Sequence, residues 1–235
     1  MSVHLRLHEI ETYIGQYHIL QGISFEVKQG EVTVLLGRNG AGKTTTLRTI
    51  MGLNPAAKGV IEFNGEEIHK NPTYRIAQKG IGYVPEDQGI FAQLTVEENI
   101  KVAIQKDNAI TQERLDYILH LFPDLKKFWK RQGGLLSGGQ KQMLSIARAF
   151  INDNQLLLID EPSKGLAPIM VEKVMESILQ MKEKTTIVLV EQNFMMASTI
   201  GDYFYIIDDG KTVHNGTMNV LREDEEMRRK YLGIA

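Results

Sequence analysis

The chain has 235 residues, 43% of them hydrophobic, a formal net charge of −2 and no cysteine. That length suits a single α/β domain with an insertion, and the hydrophobic share is ample for a core. The near-neutral balance gives no support for non-specific nucleic-acid binding, and the missing cysteine rules out a disulfide frame or a cysteine-ligated metal. No apolar run approaches the roughly 20 residues needed to span a bilayer. The first eleven residues lack the apolar core of a signal peptide. The chain is therefore expected to be soluble by itself and to reach any membrane through a partner.

Residues 3–10 and 22–28 alternate apolar with polar, as half-buried strands do. Between them, Tyr13 or Tyr17 would offer an aromatic face to an adenine ring, or be a strand-end tyrosine with a wet hydroxyl. Residues 31–36 read as a short buried strand. It runs into Gly37-Arg38-Asn39-Gly40-Ala41-Gly42-Lys43-Thr44, which fits the G-x-x-x-x-G-K-[ST] phosphate-binding pattern. A helix beginning at Thr45 and stopped by Gly52 completes the strand, loop and helix that the motif requires. The glycines let backbone N–H groups face phosphate oxygens, and the helix adds its positive dipole end. Lys43 would supply a mobile charge for the outer phosphates, and the Thr44 hydroxyl would ligate Mg²⁺.

Residues 59–65 form a strand entering an Asn-Gly turn, and residues 80–86 another strand stopped by Pro85. Helical periodicity follows over 95–104 and 111–121, opened by the capping box Thr95-Val96-Glu97-Glu98. The region 87–154 lacks strand signals and reads as a helical subdomain inserted into a core made of 1–86 and 155–235. The basic-aromatic run 126–131 reads as a solvated helix face with one packed tryptophan. Ser137, Gly138, Gly139 and Gln140 precede a helix over 141–150 and make a second anion nest.

Residues 155–159 are an apolar run ending in Asp160 and Glu161, the way a buried parallel strand delivers acids to the sheet's C-terminal edge. Asp160 suits Mg²⁺, a hard cation that takes oxygen ligands. Glu161 is placed to polarise a water in line with a γ-phosphate. Pro168 would open a helix over 169–181, and 185–190 form a second buried strand. A hairpin over 203–211 and a charged helical tail over 221–231 close the chain.

The phosphate loop, Leu136-Ser137-Gly138-Gly139-Gln140 and Leu157-Leu158-Ile159-Asp160-Glu161-Pro162, in this order and spacing, resemble the ATPase subunit of an ABC transporter. The resemblance implies a P-loop core of mainly parallel sheet with helices on both faces, an N-terminal antiparallel β subdomain and an inserted α-helical subdomain. It implies ATP and Mg²⁺ as ligands. It also implies a head-to-tail dimer in which Ser137, Gly138, Gly139 and Gln140 close over the nucleotide held by the facing subunit. Val84-Pro85-Glu86 through Phe91, residues 94–100, residues 161–168, Val190-Glu191-Gln192-Asn193 and Tyr231-Leu232-Gly233 are similar to the second ATPase of branched-chain amino acid importers, which belong to the hydrophobic amino acid uptake group together with urea and short-amide importers. Such systems combine two different ATPases, integral-membrane permease subunits and an extracytoplasmic binding protein. The chain would then work at the cytoplasmic face of the cell membrane, on no nucleic acid, with Phe91 and Leu94 meeting the membrane subunit or packing within the insertion.

Three positions depart from the general ABC pattern. Glu86 stands where a glutamine usually contacts Mg²⁺ and water, and brings a negative charge toward the γ-phosphate. Gln192 replaces the switch histidine, so it can hydrogen-bond phosphate or water but cannot become cationic. The adenine-stacking position falls on Ile14, with Tyr13 beside it. The first two departures occur in the branched-chain amino acid subgroup, and imply unequal ATP sites in a heterodimer.

Overall fold

A computed structural model describes residues 2–233; Met1, Ile234 and Ala235 lie outside the described residues. The chain opens with an antiparallel hairpin of β1 (Val3–Ile14) and β2 (Tyr17–Lys28). Its ladder runs to the pair Ile14 and Tyr17, so the segment around Tyr13 and Tyr17 is strand on both sides of a tight turn rather than a loop. Leu5, Leu7 and Ile10 are all buried, although strict alternation would turn Ile10 outward. A register shift between Leu7 and Ile10, with Glu9 at φ 50°, bulges the strand and re-aims Ile10 inward.

Strand β3 (Val32–Leu36) is buried at every residue and leads through the glycine loop into helix α1 (Lys43–Ile50). The helix starts at Lys43 rather than Thr45, because Gly42 already serves as its N-cap. Strands β4 (Lys58–Phe63) and β5 (Glu66–Glu67) flank the Asn64-Gly65 turn. A short helix α2 (Thr73–Gln78), with no counterpart in the sequence reading, precedes β6 (Ile81–Val84).

Helices α3 (Val96–Ala103), α4 (Ala109–Leu121) and α5 (Pro123–Lys127) follow. The Thr95–Glu98 capping box is present in both directions. The run 126–131 is not one helix face. Helix α5 stops at Lys127, and the carbonyls of Trp129 and Arg131 accept the N–H groups of Glu97 and Val96 at 3.0 and 2.9 Å. They thereby satisfy donors that the first turn of α3 would otherwise leave open. A 3₁₀ turn (Gly133–Leu135) leads to α6 (Gly138–Phe150), which begins three residues before the expected Lys141.

Then come β7 (Leu156–Asp160), α7 (Pro168–Lys182), β8 (Thr186–Val190) and α8 (Phe194–Ile200), the last also unexpected. Pro168 is the first residue of α7, as its fixed φ favours. The hairpin β9 (Tyr203–Asp208) and β10 (Lys211–Thr217), helices α9 (Met218–Glu223) and α10 (Glu225–Met227), and a π turn (Arg228–Leu232) complete the described chain.

One sheet has the order β2-β1-β4-β5 and is antiparallel. The other has the order β10-β9-β3-β8-β7-β6, parallel except at the β10 edge. On one side of the second sheet Val34, Leu157, Ile159 and Leu189 pack with α6, α7 and α8 residues such as Ile146, Phe150, Val174 and Met196. On the other side Leu35, Leu158 and Val190 pack with Leu5, Ile23 and Phe25 of the antiparallel sheet and Leu47 of α1. This sandwiching explains why β3, β7 and β8 are apolar without alternation. It also brings the C-terminal ends of β3, β7 and β8 to one edge, where an open α/β sheet binds its ligands. The expected fold class is borne out.

Candidate functional site

The glycine loop is shaped by close approach. A Cβ on Gly37, at φ 144°, would lie 2.1 Å from the carbonyl oxygen of Ile207, and one on Gly42, at φ 108°, would lie 2.9 Å from a Leu20 methyl. Gly42 carries no side chain to cap α1, and the first turn of that helix holds no acidic residue. Its N–H groups and positive dipole end thus form an anion cradle. Lys43 is buried, and its ammonium donates to the carbonyls of Gly37 and Arg38 at 2.9 and 3.0 Å. Burial lowers its pKa, while the carboxylates of Glu161, Asp160, Glu191 and Glu86 act in the opposite direction. Those four acids from three strand ends converge on the field of one lysine. Arg38 reaches away from the cradle and donates to the carbonyl of Lys230, 3.0 Å away. Asn39 is exposed and Thr45 half-buried.

Thr44 Oγ donates to Asp160 Oδ1 at 3.0 Å, so α1 and the end of β7 are joined at the carboxylate. The Tyr83 hydroxyl donates to Asp160 Oδ2 at 3.4 Å. Burial pushes the Asp160 carboxyl up to about 6, further than these two bonds can offset. Burial likewise holds the Tyr83 phenol well above its usual range. Among the described residues no group of three or more acids, histidines or cysteines could hold a metal by itself. Thr44 and Asp160 offer two adjacent oxygen donors of the kind a hard cation such as Mg²⁺ takes, and would hold it beside bound phosphate.

Glu161 follows β7 at φ 45°, a left-handed position that costs a non-glycine residue about 1 kcal/mol or more. Its N–H donates to the Val190 carbonyl at 2.9 Å, which pins the turn to β8. Its side chain is 8% exposed, accepts a hydrogen bond from the Gln192 amide and lies 3.7 Å from the Lys164 ammonium. Lys164 also pairs with Glu86, 2.5 Å away, on the loop after β6. Glu191 accepts bonds from Ser163 Oγ at 2.9 Å and from the N–H groups of Gln192 and Asn193 at 2.8 Å. Burial raises its carboxyl pKa, and its second oxygen has no hydrogen-bond partner among the described residues. It ties the loop bearing Lys164 to the loop bearing Gln192.

Lys43, Thr44, Asp160, Glu161, Gln192 and Glu86 are thus linked by hydrogen bonds, an ion-pair chain or shared field. Ser137, Gly138, Gly139 and Gln140 stand elsewhere, at the start of α6. Among the described residues none of them hydrogen-bonds the glycine loop, Asp160 or Glu161. Ser137 caps α6, and the Gln140 side chain accepts the Ser137 N–H at 3.0 Å. Tyr13 lies at the hairpin tip, 47% exposed, with its ring stacked on His18 at 4.2 Å. A cavity of about 690 Å³ lined by Tyr74, Gln78, Lys106, Ile110 and Asn152 includes none of these residues. Tyr83, Ser163, Lys164 and Glu191 were missed as site residues. Only Glu191, beside Gln192 at a strand end, carried a readable signal.

The ABC transporter family profile matches residues 20–164. The chain belongs to this family. It is 41% identical to the high-affinity branched-chain amino acid transport ATP-binding protein BraG of Pseudomonas aeruginosa, across 97% of this chain and 99% of that one. It is 38% identical to the probable branched-chain amino acid transport ATP-binding protein LivF of Archaeoglobus fulgidus, across 98% and 99%. A solved ATP-binding subunit of an ABC transporter superposes with a TM-score of 0.83 at 30% identity, across 98% of this chain and 96% of that one. An ATP-binding cassette in its ADP conformation, at 24% identity and a TM-score of 0.84, shares the fold. This ABC ATPase binds ATP, and as a transport subunit it serves a membrane permease. No helix among its described residues is long and apolar enough to cross a membrane.

The ABC ATPase also presents Phe91, 46% exposed, with the Arg148 guanidinium 4.9 Å from its ring centroid, and Leu94 half-buried nearby. Asn99 is fully buried beneath them. It accepts the Phe91 N–H at 2.8 Å and donates to the carbonyls of Phe91, Leu94 and Thr95 at 2.9, 3.1 and 3.0 Å. Asn99→Ala strands the Phe91 N–H and removes a second hydrogen bond from three carbonyls that each keep a backbone donor, at a cost of about 3 kcal/mol. Thermal melting should show a loss of roughly 6–12 °C, and limited proteolysis should open first at the segment 91–95.

Proposed function

We propose that this chain is the ATP-hydrolysing subunit of an importer for branched-chain or other hydrophobic amino acids, bound to the cytoplasmic face of the membrane through permease subunits. The branched-chain amino acid transport role of BraG and LivF, matched over nearly the whole chain, supports the substrate class. The hydrogen bond from Thr44 to Asp160, with Glu161 one residue beyond, carries the chemistry. In this reading the loop amides of residues 37–44 and Lys43 hold the phosphates, with Thr45 and Tyr13 at the nucleotide's margins. Thr44, Asp160 and Glu86 hold Mg²⁺, which supplies charge neutralisation at the phosphates. Glu161 takes a proton from the attacking water, and Gln192 orients Glu161 through its amide. Ser137, Gly138, Gly139 and Gln140 cap the nucleotide of a facing subunit.

Their position outside the Lys43 cluster supports that last assignment, since a motif serving a second copy's nucleotide has no need to reach its own. A homologous second ATPase is the preferred partner, because Glu86 and Gln192 remove the usual glutamine and histidine from this subunit's own site. Phe91 and Leu94 face the permease, and an extracytoplasmic binding protein delivers the solute. Uptake of radiolabelled leucine, isoleucine and valine by cells lacking this subunit tests the reading. Loss of uptake, restored by the wild-type chain and not by Lys43→Ala, is expected. Unchanged amino acid uptake with loss of urea or amide uptake would move the assignment to those solutes.

A further inference from the structure

The phosphate end of the site has an imbalance of charge. Glu86, Asp160, Glu161 and Glu191 all act on Lys43, the buried cation of the cradle. The nucleotide that the proposed function places there is itself an anion. Glu86 is the most solvent-exposed of the four, with 39% of its side chain open, and the proposed function places it beside the phosphates, where its charge needs an offset.

Lys164 answers this imbalance. Its ammonium lies 2.5 Å from Glu86 Oε1 and 3.7 Å from Glu161 Oε2. Among the described residues it is the only cation within ion-pair distance of either acid. The two acids come from the ends of neighbouring parallel strands, β6 and β7. The lysine itself sits on the loop between β7 and α7. Its backbone N–H donates to the Glu161 carbonyl at 3.1 Å, and the adjoining Ser163 is tied to Glu191. The loop is thus held in place at both ends of a three-residue turn, and the long side chain is aimed back over the acids.

We propose that Lys164 is a positioning residue whose charge offsets Glu86 and sets its spacing from Glu161, so that a carboxylate can stand beside the phosphates. This rests on the reading that Glu86 and Glu161 face the nucleotide. Lys164 touches neither the cradle nor Asp160. Its effect on nucleotide therefore passes through Glu86 and depends on that residue's charge.

A double-mutant cycle on the full chain tests this, with MgATP displacing a fluorescent ATP analogue. Lys164→Met should weaken MgATP binding about three- to five-fold at an ionic strength of ~0.15 M, the scale of a screened, exposed pair. The factor should grow at ~0.01 M, where the screening length lengthens from ~8 to ~30 Å. In the Glu86→Gln background the same substitution should change affinity less than about two-fold, because the charge it compensated is gone. Lys164→Arg should stay close to wild type. Lys164 is exposed, so its loss leaves the fold intact, which a melt of each variant checks. An equal loss in both backgrounds, or no loss in either, overturns the proposal. If the wild-type chain binds no MgATP, the nucleotide-site reading fails first, and the two failures are told apart by that control.

Discussion

Glu161→Gln should leave MgATP binding within about two-fold of wild type and lower steady-state hydrolysis by about 10²–10⁴-fold, the usual worth of a general base. The substitution is nearly isosteric. The amide keeps an oxygen that can accept the Gln192 Nε2 hydrogen bond, and the backbone bond from residue 161 to Val190 is untouched. The left-handed backbone is as costly for glutamine as for glutamate, so no relief of strain confounds the comparison. What changes is the basicity and the negative charge of the side chain, the latter felt by Lys43 and Lys164. The measurement is phosphate release at saturating MgATP, paired with equilibrium binding. A variant that still turns over at the wild-type rate removes Glu161 from the reaction. A variant that loses binding as well shows that the carboxylate holds the ligand rather than activating water. Gln192→Ala makes a graded companion, since it frees the Glu161 carboxylate without deleting it. It should cost less than Glu161→Gln in the same assay.

The parts of this site that were legible in the sequence are those that one segment builds by itself. The glycine loop, Lys43 and Thr44 lie in one stretch, and a buried strand that ends in two acids announces Asp160 and Glu161. The parts that were not legible are made across strands. Tyr83 meets Asp160 only because β6 and β7 run parallel, with Tyr83 opposite Leu158 and Val84 opposite Ile159. Lys164 meets Glu86 across 78 residues of chain. Nothing local to either residue signals the other. The fold shows the same division. Buried strands and capped helices were readable, whereas α2, with a single buried residue, shows too short an apolar stripe. Helix α8 had a usable sign in Asn193, whose side chain accepts the Met196 N–H at 3.2 Å, but seven residues give little periodicity to confirm it. The bulge at Glu9 was invisible because alternation predicts faces only while the register holds.

Asp160→Asn should do two opposite things, and both follow from burial. Removing the carboxylate takes an oxygen anion from the Mg²⁺ site. Affinity for MgATP should then fall at least about 10-fold, a loss that even indirect partners of a metal ion produce. Affinity for ATP without Mg²⁺ should hold or improve, since one negative charge beside the phosphates is gone. Stability of the nucleotide-free protein should rise at the same time. The Asp160 carboxyl sits at about 6 in the folded chain against 3.8 as its ordinary value, so the folded state binds its proton more readily than the unfolded state does. Its ionised form therefore opposes folding above pH ~6, by on the order of 1–3 kcal/mol, and that opposition fades as pH falls through 6 toward 4. Asparagine carries no such charge and can keep the Thr44 and Tyr83 contacts, with its amide oxygen accepting from one and its NH₂ donating to the other. At pH 7.5 the variant should melt roughly 3–8 °C above wild type, and the gap should close as pH is lowered toward 4.5. Thermal melts across that range, with and without MgATP, check both halves. A gap that stays constant with pH would mean that the Asp160 charge is not what strains this site, and a variant that still binds MgATP normally would take Asp160 out of the metal's coordination.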